Sequence, residues 1–383
     1  MSLQLKSLLL VFLVFVFSCK NEAKQVKEVQ DPGVDLPLKH AKGFSVKTYK
    51  NYKVLEIYSP WPKAEKTYKF ALVDRAFQDK VDLKSSDFEA VIPIPIERIV
   101  VTSTTHLPGL ELLDEAHKLV GFPGTQYVSS EHIRHRIDNN EIRELGKNEG
   151  INTEVLLELR PELVMAFGVD GNNRALEQVK NANIPVMYNG DWVETSPLAK
   201  AEWIKLFGVL FKKEAQADQV YNIIETEYVN AKKLAATVSD KPSILSGAMH
   251  KDVWYLPNGT SAEAQLLQDA NTNYLWKNTQ GAGSLALNFE TVFNKAKAAD
   301  IWVNPSFYAS LEDLKTANQH YSKFTAFKAK QIYTMANTKG ETGGVLYYEL
   351  GQSRPDLVLK DLIKICHPEL LPDYELYFYQ KLN

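Results

Sequence analysis

The stretch NTEVLLELRPELVM at residues 152–165 joins a short helix to a buried strand. Asn152 suits the N-cap of that helix because its side-chain oxygen can accept a hydrogen bond from a free backbone N–H group, and Glu154 follows at the second helical position. The same arrangement recurs as NFETVFNKAKAADIWV at residues 288–303, where Glu290 follows an asparagine in the same way. The repeat predicts two lobes of α/β structure, each presenting one carboxylate at an equivalent point.

Short apolar runs alternate with helical patterns through most of the chain, which is typical of α/β folds with mainly parallel strands. The runs predicted as strands are residues 98–102, 163–167, 184–188, 243–246, 301–303 and 331–334. Ahead of them, residues 44–73 and 91–96 have the pattern of strands and hairpins, which predicts an antiparallel β preamble over residues 40–96. The predicted fold class is therefore α/β, with two lobes of mainly parallel sheet and an N-terminal antiparallel preamble.

Residues 198–238 are predicted to connect the lobes as one long, rigid helix. This stretch contains no proline and a single glycine, and its apolar residues recur with helical period. About 35 helical residues would span roughly 50 Å at 1.5 Å per residue. Two helices with a break near residues 212–214 are the alternative. The N-terminal lobe then covers residues 40–197, and the C-terminal lobe covers residues 239–383.

The first 39 residues are expected to be a processed leader followed by a tether. The apolar run within residues 1–18 is shorter than the roughly 20 residues that a membrane-spanning helix needs, so this segment is predicted to be a signal peptide. It leads into VFSC at residues 16–19, which resembles a lipobox and makes Cys19 the predicted lipidation site. An ordinary signal peptide that happens to contain a cysteine is the alternative. Residues 19–39 are charged and polar, which predicts a flexible tether.

Composition argues against several classes of function. The formal net charge is −3 and long basic runs are absent, which argues against nucleic-acid binding. If Cys19 is lipidated, Cys366 is the one remaining cysteine, so neither a disulfide within the mature chain nor a thiolate-built zinc or iron–sulfur site is expected. Cys366 shares a helical face with Leu359, Leu362 and Ile363, which predicts a buried and unreactive thiol. No resident metal or cofactor is expected.

The chain resembles the ABC substrate-binding proteins for ferric siderophores, haem and vitamin B12. The resemblance runs from about residue 97 to residue 383, and it is strongest at residues 150–164 and at WYLPNGTS, residues 254–261. Residues 189–203 and 354–371 are similar to a branch of that family for iron-chelate uptake. The polar residues 269–273 depart from the more glycine-rich family form.

The resemblance implies a function, a location and partners. It implies two α/β lobes joined by one rigid helix, and a monomeric lipoprotein that faces the periplasm in a bacterial cell envelope. The implied partners are a small-molecule metal chelate and an ABC permease dimer with its ATPase subunits. In that family one glutamate on each lobe meets a basic pocket of the permease, and the matching positions here are Glu154 and Glu290. Alternatively, each carboxylate only complements the positive end of its helix.

Ligands of open α/β sheets bind beyond the carboxyl ends of the strands, so loops of both lobes should line a cleft. The predicted ligand-binding residues are Ser103, Thr104, His106, Phe167, Tyr188, Trp192, Trp254, Tyr255, Tyr308 and Arg354, and Phe307, Tyr347 and Tyr348 lie in the same loops. This aromatic set with a few polar groups suits a flat or bulky chelate. Arg354 either holds an anionic group of the chelate or braces the final helix. Because strand faces alternate, one of Trp254 and Tyr255 should point into the core.

The favoured hypothesis is a binding protein without catalysis that captures a ferric siderophore, with haem or cobalamin as alternative ligands. A chelatase-like α/β enzyme is the alternative from another class. Against that enzyme, no Gly-x-Ser-x-Gly elbow, phosphate loop or Gly-x-Gly-x-x-Gly motif follows a predicted strand. A surface lipoprotein that binds partner proteins is a third hypothesis, and it leaves the matched placement of Glu154 and Glu290 without a purpose.

Overall fold

The computed structural model describes residues 32–281 and 283–383 of the chain. The predicted signal peptide, Cys19 and the tether up to residue 31 lie outside the described residues. From Gly33 to Asn383 the chain forms one unit with two hydrophobic cores, one in each lobe. Within the described ranges, no helix combines the length and the apolar character that crossing a bilayer requires.

The predicted β preamble is a five-stranded sheet, and it begins before residue 40. The prediction that the flexible tether extends to residue 39 is wrong, because residues 34–35 pair with the next strand and the Lys39 N–H group donates to Glu202. The strands of this sheet are β1 (Val34–Asp35), β2 (Phe44–Thr48), β3 (Tyr52–Ile57), β4 (Tyr68–Asp74) and β5 (Ala90–Ile94). Neighbours pair in chain order, and all pairs are antiparallel except β4–β5, which is parallel. Alternate side chains such as Val46, Leu55 and Phe70 belong to the same core as the N-terminal lobe. The preamble is therefore packed into that lobe.

The N-terminal lobe continues with a five-stranded parallel sheet. Its elements are β6 (Ile99–Val101), α1 (Leu107–Glu111), β7 (Leu119–Phe122), α2 (Glu131–Asp138), β8 (Arg143–Glu144), β9 (Gly146–Lys147), β10 (Gly150–Ile151), α3 (Thr153–Leu159), β11 (Leu163–Ala166), α4 (Arg174–Asn181) and β12 (Val186–Tyr188). The strand order is β12-β11-β6-β7-β8, and β9 and β10 form a separate hairpin. Every residue of β6 and β11 is buried, as expected for parallel strands that are covered on both faces.

Three helices occupy the segment that was predicted to be one helix at residues 198–238. They are α5 (Pro197–Glu202), α6 (Ile204–Phe211) and α7 (Glu214–Ala235). The prediction of a continuous rod is wrong, because Lys212 adopts a left-handed conformation with φ 57° and ends α6. The physical reason is burial: every residue of α6 is buried within the N-terminal lobe, which a straight rod leading out of that lobe would not allow.

The rigid helix that links the lobes is α7, which has 22 residues and spans about 33 Å at 1.5 Å per residue. In its first half, Ala217, Tyr221 and Ile224 belong to the N-terminal core. In its second half, Tyr228 and Ala231 belong to the C-terminal core. Because one continuous helix is buried in both cores, it couples the lobes without a flexible linker, as the predicted fold class requires.

The C-terminal lobe repeats the layered arrangement. Its elements are β13 (Ser243–Ser246), β14 (Ala248–His250), β15 (Val253–Pro257), α8 (Ala262–Asp269), β16 (Asn273–Tyr274), β17 (Ser284–Leu287), α9 (Phe289–Ala296), β18 (Ile301–Val303), α10 (Leu311–Ala317), α11 (Thr325–Lys328), β19 (Ile332–Thr334), α12 (Leu346–Leu350), α13 (Pro355–Cys366) and β20 (Gln380–Lys381). The main sheet has the order β16-β13-β18-β19-β20 and is parallel except at β20, and β14, β15 and β17 form an antiparallel sheet. In α13, Cys366 is half-buried rather than fully buried as predicted. It packs against the C-terminal core, and desolvation raises the pKa of its thiol, which disfavours the reactive thiolate.

Candidate functional site

A cavity of about 730 Å³ lies between the lobes, and residues of both lobes line it. On the N-terminal side, its wall comes from the residues that follow β6, β7, β9 and β11. On the C-terminal side, its wall comes from the residues that follow β18 and β19. These are mostly the carboxyl ends of parallel strands, where the fold was expected to bind a ligand. The volume lies within the range of about 300–1,000 Å³ that is usual for small-molecule sites.

Aromatic side chains from both lobes dominate the cavity wall. They are Phe122, Tyr127, Phe167, Phe307 and Tyr348. Tyr127, Phe307 and Tyr348 are 62%, 67% and 49% exposed, and the rings of Phe307 and Tyr348 lie 6.0 Å apart. Large aromatic side chains that are exposed around one cavity mark a binding surface, because a ligand that covers them removes their apolar surface from water.

Hydrogen bonds hold the polar part of the wall in place. Thr102 directly follows β6, and its Oγ1 accepts from the Phe167 N–H group at 2.8 Å, which ties the loop after β11 to the loop after β6. The Ser103 Oγ accepts from the Thr105 N–H group at 3.3 Å and caps the 3₁₀ turn that leads into α1. The 3₁₀ turn Thr104–His106 therefore starts directly after Ser103, and α1 follows it without a gap. Asn148 donates to the Thr102 carbonyl at 3.0 Å.

Each lobe contributes one lysine to the cavity. Lys147 extends from β9 of the N-terminal lobe, and Lys339 lies in the loop after β19 of the C-terminal lobe. Both side chains are exposed, and among the described residues that line the cavity Glu149 carries the one carboxylate. Two ammonium groups against one carboxylate give the wall a net positive charge, which favours an anionic ligand.

The lobes are bridged beside the cavity by the segment at residues 339–350. Its buried Glu349 accepts hydrogen bonds from the N–H groups of Ser129 at 2.6 Å and Ser130 at 2.8 Å, across the lobe boundary. Thr342 Oγ1 donates to the Gln126 carbonyl at 2.9 Å. A second cavity of about 880 Å³ lies next to this bridge and shares Lys339 with the first. It is not the candidate site, because charged side chains rather than aromatic rings make up much of its wall.

Glu349 is expected to make the stability of the protein depend on pH. Burial raises the pKa of this carboxyl group from 4.5 to about 7. Repulsion from Glu111 adds to the increase, whereas the hydrogen bonds from Ser129 and Ser130 oppose it. The folded chain therefore keeps a proton that the unfolded chain loses, so the contribution of Glu349 to stability falls as pH rises from about 4.5 to 7. The shift corresponds to roughly 3 kcal/mol.

Urea unfolding of the wild type and of Glu349→Gln over that pH range checks this expectation. Other titrating groups are shared by both chains and cancel in the difference between their free energies of unfolding. The wild type is expected to lose stability relative to Glu349→Gln as pH rises. A difference that stays constant with pH would contradict the assignment.

Among the residues predicted for the site, Ser103, Thr104 and Phe167 line the cavity. Thr104 Oγ1 also donates to the Tyr348 carbonyl at 3.3 Å, which joins the two lobes. Trp192 lies directly behind the wall, with its ring 5.6 Å from that of Phe167. The structure thus brings these four residues together, and their contact with a ligand stays a prediction.

The predictions that His106 and Tyr188 line the cleft are wrong. His106 is fully buried, and that burial lowers its pKa to about 3, so the imidazole is neutral. Tyr188 ends β12 but is enclosed by Trp61 and Tyr68, whose ring centroids lie 4.9 and 5.4 Å away. Both residues follow or end a strand as predicted, but their side chains point beneath the loops.

Trp254 is also a core residue and, contrary to expectation, does not line the cavity. It is fully buried, stacks on Trp302 at 5.5 Å and donates from Nε1 to the Ser246 carbonyl at 3.0 Å. Tyr255, the next residue of β15, is exposed, as the alternation of strand faces requires. Tyr255 nevertheless does not line the cavity.

Two further predicted residues lie outside the cavity wall. Tyr308 packs against the C-terminal core, and its neighbour Phe307 faces the cavity instead. Arg354 forms two hydrogen bonds with Asp356, of 2.9 and 2.8 Å, which raise the pKa of the guanidinium group. Because Asp356 lies in the first turn of α13, Arg354 braces the final helix, which was the alternative to ligand binding.

Four residues that were not predicted from the sequence also line the cavity: Tyr127, Lys147, Asn148 and Lys339. Lys147 and Asn148 lie in or beside the hairpin of β9 and β10, and Tyr127 and Lys339 lie in loops. No periodic pattern marks such positions. The Oδ1 atom of Asn148 is buried and has no hydrogen-bond partner within the described part of the chain, so it can accept a hydrogen bond from a ligand.

The two matched glutamates occupy equivalent places, as predicted. The Asn152 side chain accepts from the Val155 N–H group at 3.1 Å and caps α3, and Asn288 caps α9 in the same way. Glu154 and Glu290 are the second residues of these helices, and both are exposed. Neither lines the cavity between the lobes.

Among the described residues, no group of three or more His, Cys, Asp or Glu side chains is arranged to hold a metal ion. The arrangement that is present can grip a bulky ligand by stacking and by charge. Aromatic rings from both lobes offer apolar faces, and the lysines offer two cationic hydrogen-bond donors. Such contacts are reversible, which suits capture followed by release.

Comparison with known proteins gives a family and a set of similar folds. The family model described as "Periplasmic binding protein" matches residues 99–338. An uncharacterized lipoprotein of Methanocaldococcus jannaschii, MJ0878, is 26% identical over 310 residues, which cover 78% of this chain and 72% of the relative. The uncharacterized protein MJ0642 of the same organism is 25% identical over 306 residues, which cover 75% of this chain and 87% of the relative.

Solved structures share the two-lobe fold. One, from Staphylococcus epidermidis, is described as a possible iron-binding (periplasmic solute-binding) protein. It has a TM-score of 0.56 and 16% identity, and the match covers 71% of this chain and 98% of that protein. Another is a periplasmic haem-binding protein from Pseudomonas aeruginosa. It has a TM-score of 0.55 and 15% identity, and the match covers 75% of this chain and 98% of that protein.

Proposed function

The chain belongs to the periplasmic binding protein family, and from this premise we propose that it captures an iron chelate between its lobes and delivers it to the permease of an ABC importer. The observation that carries the proposal is the aromatic cavity of about 730 Å³ with one lysine from each lobe. The chain acts by binding and release, without catalysis.

A chelate fits this cavity better than a bare ion does. The volume exceeds what a single metal ion occupies, and the wall is built from rings such as Phe167, Phe307 and Tyr348. Aromatic rings bind flat or bulky organic groups, with about 0.5–1.5 kcal/mol per pair beyond the buried area. Lys147 and Lys339 complement carboxylate or catecholate groups on such a ligand. Ferric siderophores therefore come first, with haem as the alternative in the same role.

Titration of the purified protein with several chelates tests the proposal. Ferric citrate, a ferric catecholate, haem and cobalamin are each added while tryptophan fluorescence is followed. Trp192 is expected to report binding because its ring contacts Phe167 in the cavity wall. Saturable quenching at one chelate per chain by an iron chelate supports the proposal. The absence of saturable binding to every probe, with the fold intact by circular dichroism, would overturn it.

The same samples separate binding from the chelatase alternative. A binding protein leaves the chelate chemically unchanged, whereas a chelatase inserts a metal ion into a porphyrin. Incubation with free porphyrin and ferrous iron should therefore give no haem above the uncatalysed rate. Haem formation that depends on the protein would favour the enzyme.

We place the protein outside the cytoplasmic membrane, held there by a lipid on Cys19. The family is periplasmic and the similar protein MJ0878 is named a lipoprotein, which supports this location. The segment that carries Cys19 lies outside the described residues.

Loss of the anchor thiol is expected to release the protein from the membrane. Cys19→Ser removes the sulfur to which the lipid would be attached, so the predicted lipid anchor cannot form. The measurement is incorporation of labelled palmitate, together with the membrane-bound fraction, in cells that express each variant. Cys366→Ser is the matched control and should keep the label. Equal incorporation into the wild type and Cys19→Ser would defeat the lipoprotein assignment.

A further inference from the structure

The loop between β3 and β4 leaves the preamble and packs beneath the loop that follows β11. Trp61 in this loop is 8% exposed, and its ring meets that of Tyr188 edge-on at 4.9 Å. A Cβ atom added to either Gly168 or Gly171 would lie 3.3 Å from the Trp61 indole. The backbone of residues 168–171 therefore lies directly on this ring.

The same preamble loop also contacts the loop that follows β12. A Cβ atom added to Gly190 would lie 3.0 Å from Pro60 Cα and 3.2 Å from the Ser59 carbonyl oxygen. Gly190 directly precedes the 3₁₀ turn Asp191–Val193, which carries Trp192. Residues 59–61 thus touch both loops whose aromatic side chains meet at the cavity wall.

Two carboxylates attach the start of the preamble to the segment after β12. Glu194 Oε1 accepts from the N–H groups of Lys42 and Gly43, both at 2.8 Å. The fully buried Glu202 accepts from the N–H groups of residues 39–41, at 2.7–3.1 Å. Burial alone would raise the pKa of Glu202, but these N–H donors and Lys205 hold it below its usual value. The carboxylate is therefore charged, and it holds the start of the preamble against α5.

The loop that rests on Trp61 needs such support. Residues 168–173 read GVDGNN, with two glycines whose backbones have wide conformational freedom. Fixing a loop of this kind costs conformational entropy, and a ligand that had to order it would bind more weakly. The indole supplies a rigid surface that the backbone of this loop contacts at both Gly168 and Gly171.

We propose that Trp61 is a positioning residue that holds the loops carrying Phe167 and Trp192, so that the preamble shapes the ligand cavity without touching the ligand. The preamble lies before residues 99–338, which the family model matches, so the proposal assigns a role to a segment that the family match leaves out. The part of the proposal that concerns ligand affinity rests on the proposed function.

Three variants test the role of Trp61. Trp61→Ala removes the indole, Trp61→Phe keeps a ring at the same place, and Leu55→Ala removes buried volume from the same sheet. Leu55 is the matched control because it is fully buried on β3, where it pairs with Val46 and Phe70 within the sheet. Hydrogen exchange of the backbone amides at residues 167–172 and 190–193 is measured without ligand, and chelate affinity is measured separately.

Trp61→Ala is expected to speed amide exchange in both loops and to weaken chelate binding about tenfold, as expected when preorganisation is lost. Trp61→Phe should keep most of the slow amide exchange and most of the chelate affinity of the wild type. Leu55→Ala should change exchange in these loops and chelate affinity only as far as its global loss of stability requires. Unchanged exchange in Trp61→Ala would overturn the positioning role whether or not a chelate binds. Faster exchange with unchanged chelate affinity would overturn the claim that positioning by Trp61 strengthens ligand binding. Failure of the wild type to bind any chelate would count against the proposed function and leave the exchange result to decide positioning.

Discussion

Reversing the charge of both Glu154 and Glu290 is expected to abolish uptake of the chelate while leaving its capture unchanged. Each side chain is exposed in the first turn of a helix and lies outside the cavity wall. If each carboxylate meets a basic pocket of the permease, a lysine there places like charges together at the interface, which costs several kcal/mol. A single reversal should already reduce transport.

The folded chain should tolerate these changes. A lysine near the positive end of a helix dipole costs about 0.3–1 kcal/mol, so the double variant should melt only slightly below the wild type. Uptake of labelled chelate into vesicles that contain the cognate permease and its ATPase subunits is measured beside a binding titration. Glu312→Lys is the matched control, because Glu312 is also an exposed second residue of a helix, α10. Normal transport by the double variant would contradict the docking assignment. Loss of chelate binding by the double variant would place the glutamates in the ligand site.

Reversing the charge of Lys147 and Lys339 is expected to weaken binding of an anionic chelate by roughly a hundredfold or more. An ion pair at 4 Å is worth about 1 kcal/mol in water, so replacing attraction by repulsion changes the free energy of binding by about 2 kcal/mol at each site. Two sites together give about 4 kcal/mol, before screening by salt reduces it. The loss should be smaller at high ionic strength.

The same double variant separates the candidate ligands. Ferric citrate, ferric catecholates and haem carry negative groups, whereas the amide-rich periphery of cobalamin does not. Lys84→Glu with Lys241→Glu is the matched control, since both of these lysines are exposed, lie outside the cavity wall and change the net charge equally. Unchanged affinity for anionic chelates in Lys147→Glu/Lys339→Glu would remove the charge argument. If Lys147→Glu/Lys339→Glu still binds cobalamin but no longer binds anionic chelates, the loss comes from the changed charge and not from unfolding.

Much of the fold follows from local patterns. The run at residues 163–167 predicted a buried strand, and β11 occupies Leu163–Ala166, because a parallel strand covered on both faces needs a continuous apolar stretch. Asn152 and Asn288 predicted two helix starts, since an N-cap depends on one side chain and the backbone next to it. Such features are set by neighbours in the sequence and are visible there.

The break between α6 and α7 lies where the alternative placed it, near residues 212–214, but local patterns could not decide between that break and one continuous helix. Lys212 adopts the left-handed conformation with neither glycine nor asparagine to mark it. The cause is tertiary: α6 is buried on all sides, and Gly208 lies so close to α7 that an added Cβ atom would be 2.6 Å from the Ala217 side chain. The stretch 198–238 therefore has the local composition of one helix and the packing of three.

The sequence predicted the location of the candidate site better than it predicted which side chains face it. The expectation that a ligand sits beyond the strand ends led to Ser103, Thr104 and Phe167, all of which line the cavity. It also led to Trp254 and His106, which are fully buried. Whether an aromatic residue at a strand end faces the cleft or the core depends on what packs beneath it, and that information lies in distant segments such as the preamble.

Capture of an iron chelate between the lobes can be measured by the absorbance spectrum and metal content of the protein, purified from its own source grown under iron limitation. The wild type is expected to carry iron and a chelate chromophore at close to one per chain, and Lys147→Glu/Lys339→Glu prepared in the same way is expected to carry neither. Protein without iron or chromophore in both preparations, or with equal amounts in both, would contradict capture of an iron chelate in the cavity between the lobes.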